Sequence, residues 1–107
     1  MTAKRVFRRA AADGDIADAI LHYREAAGEK TAVEFARALK RAFIHIALLP
    51  ASGSSRWAHV LGLRGLRTWP LTGFPYLVFF TEGVDQIDVW RVLHQERDIP
   101  KWMGEGT

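Results

Sequence analysis

The first half of the chain repeats its apolar residues at the spacing of an α-helix. Ile16, Ile20 and Tyr23 recur every three or four positions, which places them on one side of a helix. Acidic residues at the start of this stretch suit the positive end of a helix dipole, and Gly28 follows it as a residue that commonly ends helices. We therefore predict a first helix over Asp13–Ala27.

A second stretch with the same period follows after a short polar connection. Its apolar side consists of Phe35, Leu39, Ala42, Phe43 and Ile46. Thr31–Glu34 has the pattern of a capping box, in which the threonine and glutamate side chains satisfy free backbone groups at a helix start. Pro50 predicts that this helix ends at Leu48 or Leu49. Because only Gly28–Lys30 separates the two helices, we expect an antiparallel helical hairpin.

The second half of the chain changes to patterns that are typical of β-strands. We predict three strands joined by tight turns, within Leu66–Leu71, Tyr76–Thr81 and Gln86–His94. Tyr76–Thr81 is almost entirely apolar and is predicted to be an inner strand, whereas Pro70 places its own strand at an edge, because proline has no N–H to donate. The last strand alternates, with one face formed by Ile87, Val89, Arg91 and Leu93. Near the N-terminus, Lys4–Arg9 is predicted to add a short strand.

The remaining segments are predicted to lack regular structure. Ala51–Gly65 is assigned to a loop, Pro100 is expected to end the regular structure, and Lys101–Thr107 is expected to form a loose tail. The element order β-α-α-β-β-β then predicts one α+β domain over residues 1–107, with the helical hairpin packed on one face of a small, mainly antiparallel sheet. The helical crossover permits the first strand to run parallel to another, which makes the sheet mixed.

Composition narrows the class of protein without identifying it. The chain has no cysteine, which excludes disulfides and thiolate metal sites. It shows no secretory leader and no apolar run long enough to span a membrane, so we expect a cytoplasmic protein. The net charge of +3 is uneven, because no acidic residue occurs between Glu34 and Glu82. This block favours an acidic protein partner or nucleic acid, although an ordinary solvated basic face would look the same.

Candidate chemistry is confined to the last predicted strand and the residues near it. No nucleotide-binding, hydrolase or metal-ligand motif is present, so no metal or cofactor is expected. His94 has Arg91 and Arg97 three residues away on either side, and an imidazole between guanidinium groups can act as a general acid in RNA backbone cleavage. Arg64 and Arg67 are candidates for the same site, because the first strand of the meander could bring them near His94. A purely structural role for His94 is the favoured interpretation, because no obvious general base accompanies these residues.

Two segments of the sequence resemble the ParE branch of the RelE/ParE toxin superfamily. They are R-x-W-P-L-x-x-F-P-Y-L-V-F-F from Arg67 to Phe80 and D-V-W-R-V-L-H-Q-E-R-D-I-P from Asp88 to Pro100. The preceding helical hairpin is also similar, so the resemblance covers nearly the whole chain. It implies a type II toxin, also called a plasmid stabilisation protein, which a cognate antitoxin neutralises by wrapping the hairpin and often extending the sheet. It also implies a higher-order toxin–antitoxin complex, in which the toxin itself makes no sequence-specific DNA contact.

The resemblance to the superfamily does not by itself identify the cellular target. ParE toxins typically inhibit DNA gyrase, whereas RelE-like relatives cleave mRNA on the ribosome. The chain has no lysine between Arg41 and Pro100, and no tyrosine follows His94, so its basic surface is catalytically incomplete for a ribonuclease. We therefore expect a non-enzymatic gyrase inhibitor. The alternatives are a ribosome-dependent endoribonuclease and an inactive relative that only binds antitoxin.

These expectations assign residues to each role. The expected target-binding residues are Arg67, Trp69, Arg91, His94 and Arg97. The expected antitoxin-binding residues lie on the two helices and are Ile16, Ile20, Tyr23, Phe35, Leu39 and Phe43. The catalytic set of the endoribonuclease alternative is His94, Arg64, Arg67 and Arg91.

Overall fold

The computed structural model describes residues 2–104 and confirms the α+β architecture. The elements in chain order are β1 (Arg5–Arg8), α1 (Ala10–Ala27), α2 (Glu29–Leu48), α3 (Arg56–Leu61), β2 (Arg67–Pro70), β3 (Tyr76–Glu82), β4 (Gln86–His94) and α4 (Ile99–Gly104). A 3₁₀ turn, Pro50–Ser52, precedes α3. Among the helices of this described part, none combines the length and apolar character that crossing a membrane requires.

The four strands form one mixed sheet in the order β1-β4-β3-β2. β1 runs parallel to β4, and the other neighbours are antiparallel. The predicted inner position of Tyr76–Thr81 and the predicted edge position of the Pro70 strand are both confirmed. On the outer side of β2, Ser54 and Thr68 exchange two backbone hydrogen bonds of 2.9 Å each.

The helical hairpin is tighter than predicted, because a single residue joins its helices. Gly28 has a φ of +94°, a conformation that L side chains rarely adopt, and it ends α1 and begins α2 at once. The predicted capping box at Thr31 is therefore wrong. α2 already begins at Glu29, and the Thr31 hydroxyl donates to the Ala27 carbonyl at 3.4 Å from inside the first turn.

The first hydrophobic core lies between the hairpin and one face of the sheet. Its largest fully buried side chains are Phe35 and Ile46 from α2 and Phe80 from β3. Tyr23 and Phe74 are partly buried and pack with Phe35 through ring contacts with centroids 5.1–5.3 Å apart. The hairpin is thereby fixed to the sheet by aromatic packing.

A second core covers the opposite face of the sheet, where the sequence predicted no regular structure. Its buried residues are Leu66, Phe79, Leu93, Ile99 and Met103. Two short helices, α3 and α4, supply much of this cover, so the prediction of a loop over Ala51–Gly65 is wrong in part. Each has only six residues, too few for a helical period to be recognised.

The predicted stop at Pro100 is also wrong. Pro100 is the second residue of α4, where its missing N–H would have no partner within the helix. The predicted tail at Lys101–Thr107 is helical as far as Gly104, and residues 105–107 lie outside the described residues.

The predicted alternation of the last strand breaks at a bulge. Arg91 pairs with Phe79 while Val89 pairs with Phe80, so Trp90 is an extra residue in β4. The alternation of side chains between the two faces of the sheet is therefore shifted by one residue after Trp90. Val89 and Val92 both pack in the first core, although they are three residues apart.

Two glycines offer a direct test of this packing. A Cβ added at Gly53 would lie 2.8 Å from Cζ of the buried Phe80 ring, whereas nothing lies within 4 Å of one added at Gly14, inside α1. We expect Gly53→Ala to lower the free energy of unfolding by about 1–3 kcal/mol. Gly14→Ala, the matched control, is expected to raise it by about 0.5–1 kcal/mol. Urea unfolding measures both, and equal effects at the two positions would contradict the packing around Gly53.

Candidate functional site

Arg91, predicted to face a target, is instead buried beside the carboxylate of Asp15. Its Nε and Nη2 donate to the two Asp15 oxygens at 2.8 and 2.7 Å, and only 5% of Arg91 is exposed. Asp15 also accepts the Val92 N–H at 3.0 Å, at a point of β4 beyond the end of its neighbour β1. Arg91 donates to the Trp102 carbonyl as well, so it ties α1, β4 and α4 together. Its burial does not support a direct contact with a target.

Arg67 and Trp69 lie on β2, which is an edge strand of the sheet. Arg67 Nη1 donates to the Gly53 carbonyl at 2.9 Å and thereby holds the loop before α3. The Trp69 ring stacks on His45 with centroids 3.8 Å apart, and His45 Nε2 lies 2.8 Å from the Ser52 hydroxyl. Both predicted target residues therefore have structural contacts of their own.

His94 and Arg97 do come together, in a cavity of about 310 Å³ between α1, the end of β4 and α4. The cavity is also lined by Asp15, Asp18, His22, Tyr76 and Trp102. Arg64 and Arg67 line a different depression, beside His59 and α3. The catalytic set of the endoribonuclease alternative is thus divided, since Arg64 and Arg67 lie away from His94 and the buried Arg91 is engaged by Asp15.

The cavity has a defined set of hydrogen-bond donors. The Glu96 N–H donates to Nδ1 of His94 at 3.1 Å, so in the neutral imidazole the proton lies on Nε2. The Arg97 guanidinium lies 4.4 Å from the centroid of the Trp102 ring. Tyr76 opposes His94 across the two strands, with ring centroids 5.2 Å apart. Sequence patterns did not reveal the contribution of Asp15 and Tyr76, because their partners lie far away along the chain.

The predicted antitoxin-binding residues face the core of the molecule and not its exterior. Phe35 and Leu39 are buried, while the other members of the set are partly buried against the first core: Ile16, Ile20, Tyr23 and Phe43. The period that identified them is the period of core packing. Side chains on the opposite side of the helices repeat at the same spacing and are mostly exposed.

The outward side of α2 carries exposed apolar and basic side chains together. We call it the outer α2 surface and define it by Val33, Arg37, Lys40, Arg41, Ile44 and Leu48. Ile44 is 51% exposed, a high value for an isoleucine in the middle of a 20-residue helix. Within residues 2–104, none of the three basic side chains forms an ion pair. Such a surface is typical of a site that binds another protein.

Comparison with known proteins identifies the family. A family model described as the ParE toxin of the type II toxin-antitoxin system parDE matches residues 6–99. The chain belongs to the ParE toxin family. The resemblance noted in the sequence is thereby confirmed, and membership in a toxin–antitoxin system implies an antitoxin as partner of this ParE toxin.

The fold of this ParE toxin is shared with a solved structure described as the chromosomal ParDE TA system from P. aeruginosa. The two chains superpose with a TM-score of 0.73 at 18% sequence identity, over 88% of this chain and 98% of the other. At this identity the likeness concerns the fold. No curated protein sequence matches the chain.

Two tyrosines of the ParE toxin give its stability a dependence on alkaline pH. Burial raises the pKa of Tyr23, and Tyr76 raises it further. Burial also raises the pKa of Tyr76, which Arg97 lowers and Asp15 raises. The folded state thus holds these phenol protons to higher pH than the unfolded chain does.

We therefore expect the free energy of unfolding to be fully retained below about pH 10, the pKa of tyrosine in an unfolded chain, and to fall as the pH rises above it. Tyr23→Phe removes one of the two groups and should flatten this decline. Urea unfolding at a series of alkaline pH values measures the slope. An unchanged slope in the variant would show that the fold does not perturb Tyr23.

Proposed function

We propose that this ParE toxin inhibits DNA gyrase by binding, without catalysing a reaction, and that its cognate antitoxin neutralises it in the cytoplasm. One observation carries the non-catalytic part of the proposal. The candidate ribonuclease residues do not share a site, because Arg91 is engaged by Asp15 and Arg64 lies beside α3. Gyrase as the target follows from the ParE resemblance of Arg67–Phe80 and Asp88–Pro100.

The outer α2 surface supports the antitoxin part of the proposal. Its apolar residues recur along one side of the helix, and its basic residues lie between them. A partner helix with apolar residues on one face and acidic residues beside them would match both features. The outer edge of β1 offers a second place for contact, because in the described part of the chain β4 is the one strand that pairs with it.

Purified toxin in a gyrase supercoiling assay tests the proposed target. Toxin alone is expected to reduce supercoiling or to trap cleaved DNA, and toxin mixed with equimolar antitoxin is expected to leave the enzyme active. Heat-denatured toxin is the control for non-specific effects of a basic protein. Full gyrase activity at a several-fold excess of folded toxin would contradict the proposal.

One observation favours the endoribonuclease as a second candidate. His94, Arg97 and Tyr76 line one cavity, and together they supply an imidazole, a cation and a hydroxyl. This function predicts that expression of the toxin cleaves transcripts on ribosomes and that His94→Gln abolishes toxicity in a folded protein. Toxicity that survives this substitution would remove the catalytic role. Normal growth on expression of the unmodified toxin would instead indicate an inactive relative that only binds antitoxin.

The outer α2 surface also yields a prediction about affinity. We expect Ile44→Glu to weaken antitoxin binding by about 10- to 100-fold, because it places a charge within an apolar contact. Val60→Glu is the matched control, since Val60 is 57% exposed on α3, away from this surface. Isothermal titration calorimetry measures both affinities. Equal losses for the two variants would contradict the assignment of the surface.

A further inference from the structure

The cavity between α1, β4 and α4 is lined by donor groups that have no anionic partner among residues 2–104. Among residues 2–104, no carboxylate lies within ion-pair distance of Arg97, whose guanidinium is instead placed over the Trp102 ring. His94 lines the same cavity, and its Nδ1 accepts the Glu96 N–H, which leaves Nε2 as the nitrogen that can donate. Tyr76 adds a hydroxyl to the lining of the cavity. A guanidinium, an imidazole and a hydroxyl thus line one cavity.

The carboxylates that line the cavity do not pair with these donors. Both oxygens of Asp15 are already engaged, since three N–H groups from Arg91 and Val92 donate to them. Asp18 is an exposed residue of α1, as Arg97 is beyond the end of β4, and the two do not form an ion pair. Within residues 2–104 these donors therefore have no anionic acceptor, and an acceptor of that kind would form the strongest hydrogen bonds with them.

We propose that this cavity binds the carboxylate of an aspartate or glutamate side chain from a protein partner. The Arg97 guanidinium and the imidazole of His94 bind the carboxylate oxygens, and Tyr76 donates its hydroxyl. Ala19 and Val92, which also line the cavity, contact the methylene groups of the side chain. The site is separate from the outer α2 surface and does not depend on which enzyme the toxin inhibits.

The surrounding charges favour a single carboxylate over a nucleic-acid backbone. Asp13, Asp15 and Asp18 all lie on α1 within six residues, and Asp18 lines the cavity directly. A chain of phosphates would bring several negative charges towards this acidic part of the helix, whereas one carboxylate brings a single charge to Arg97. The volume of about 310 Å³ also suits one side chain better than a run of nucleotides.

Binding of small probes to the folded toxin, followed by NMR, tests this inference independently of gyrase. The probes are glutamate and glutamine capped at both ends, acetate, and the dinucleotide UpU, each added at constant ionic strength. Capped glutamate is expected to shift the side-chain signals of His94 and Arg97 saturably, with a Kd on the order of 10 mM. Capped glutamine is expected to bind about tenfold more weakly, because it lacks the charge.

Arg97→Gln removes the cation from an exposed position and is expected to weaken capped glutamate binding by about tenfold. Arg56→Gln is the matched control, since Arg56 likewise lies over a tryptophan ring, that of Trp57, but outside the cavity. Equal losses in the two variants, or equal binding of capped glutamine, would overturn the inference. Tighter binding of UpU would indicate a nucleic-acid ligand, and equally tight binding of acetate a free small carboxylate, and either result would also overturn it.

Discussion

Replacing Asp15 by asparagine is expected to lower the free energy of unfolding by about 3–5 kcal/mol, because it leaves the buried Arg91 guanidinium without its counter-charge. The side chains of Arg91 and Asp15 are only 6% and 10% exposed, so water cannot replace the lost carboxylate. The asparagine amide would also present donors to a group that is itself a donor. Urea unfolding measures the loss.

Asp13→Asn is the matched control for this substitution. Asp13 lies on the same helix and pairs with Arg8 at 2.7 Å, but the two side chains are about half exposed. Such surface pairs contribute about 0–1 kcal/mol, so the control should change stability little. A double-mutant cycle between Asp15→Asn and Arg91→Met should give a coupling free energy of about 1 kcal/mol or more. Additive effects would mean that the two residues stabilise the fold independently.

Phe35→Ala is the second substitution with a large expected effect. Phe35 is fully buried and contacts Tyr23, Phe74 and Tyr76 through its ring. Truncating a buried phenylalanine leaves a cavity and costs about 3–5 kcal/mol, which for a 107-residue domain is a large part of its total stability. Thermal or urea unfolding measures this cost. The neighbouring Val33→Ala, on the outer α2 surface, is expected to cost less than about 0.5 kcal/mol.

The same pair of variants separates folding from antitoxin recognition. If the outer α2 surface binds the antitoxin, Val33→Ala weakens the complex without destabilising the toxin. Phe35→Ala acts in the opposite way, and the fraction of this variant that remains folded should bind antitoxin normally. A loss of antitoxin affinity confined to folded Phe35→Ala would instead support the inner set of residues predicted from the sequence.

The sequence predicted the long elements well because each carries many repeats of its period. The two helices and the inner strand are examples, and Pro70 identified its edge strand through the chemistry of a single residue. The short helices α3 and α4 were missed because six residues do not establish a period. The prediction of a capping box was wrong for another reason. The second helix begins directly after Gly28, so Thr31 lies inside its first turn and not at its start.

The candidate site was harder to predict, because its contacts join residues that are distant in the chain. Asp15 and Arg91 are separated by 76 positions, and neither their residue types nor their spacing predicts that they form an ion pair. Arg91 therefore looked like a free cation beside His94. His94 and Arg97 line the same cavity because they are close in sequence, since His94 is the last residue of β4 and Arg97 lies three residues beyond it.

The covered outer side of β2 has a consequence for self-association. The Thr68 N–H is engaged by Ser54, Pro70 has no N–H, and the strand therefore presents no unused donor to its exterior. Among the strands of residues 2–104, β1 alone leaves its outer backbone groups without a neighbouring strand. Indefinite growth of a sheet from copy to copy needs two open edges per molecule, and the sheet formed within residues 2–104 has one. Edge-to-edge pairing of sheets between copies would thus stop at a dimer, which protects a basic, aromatic-rich protein against fibre formation.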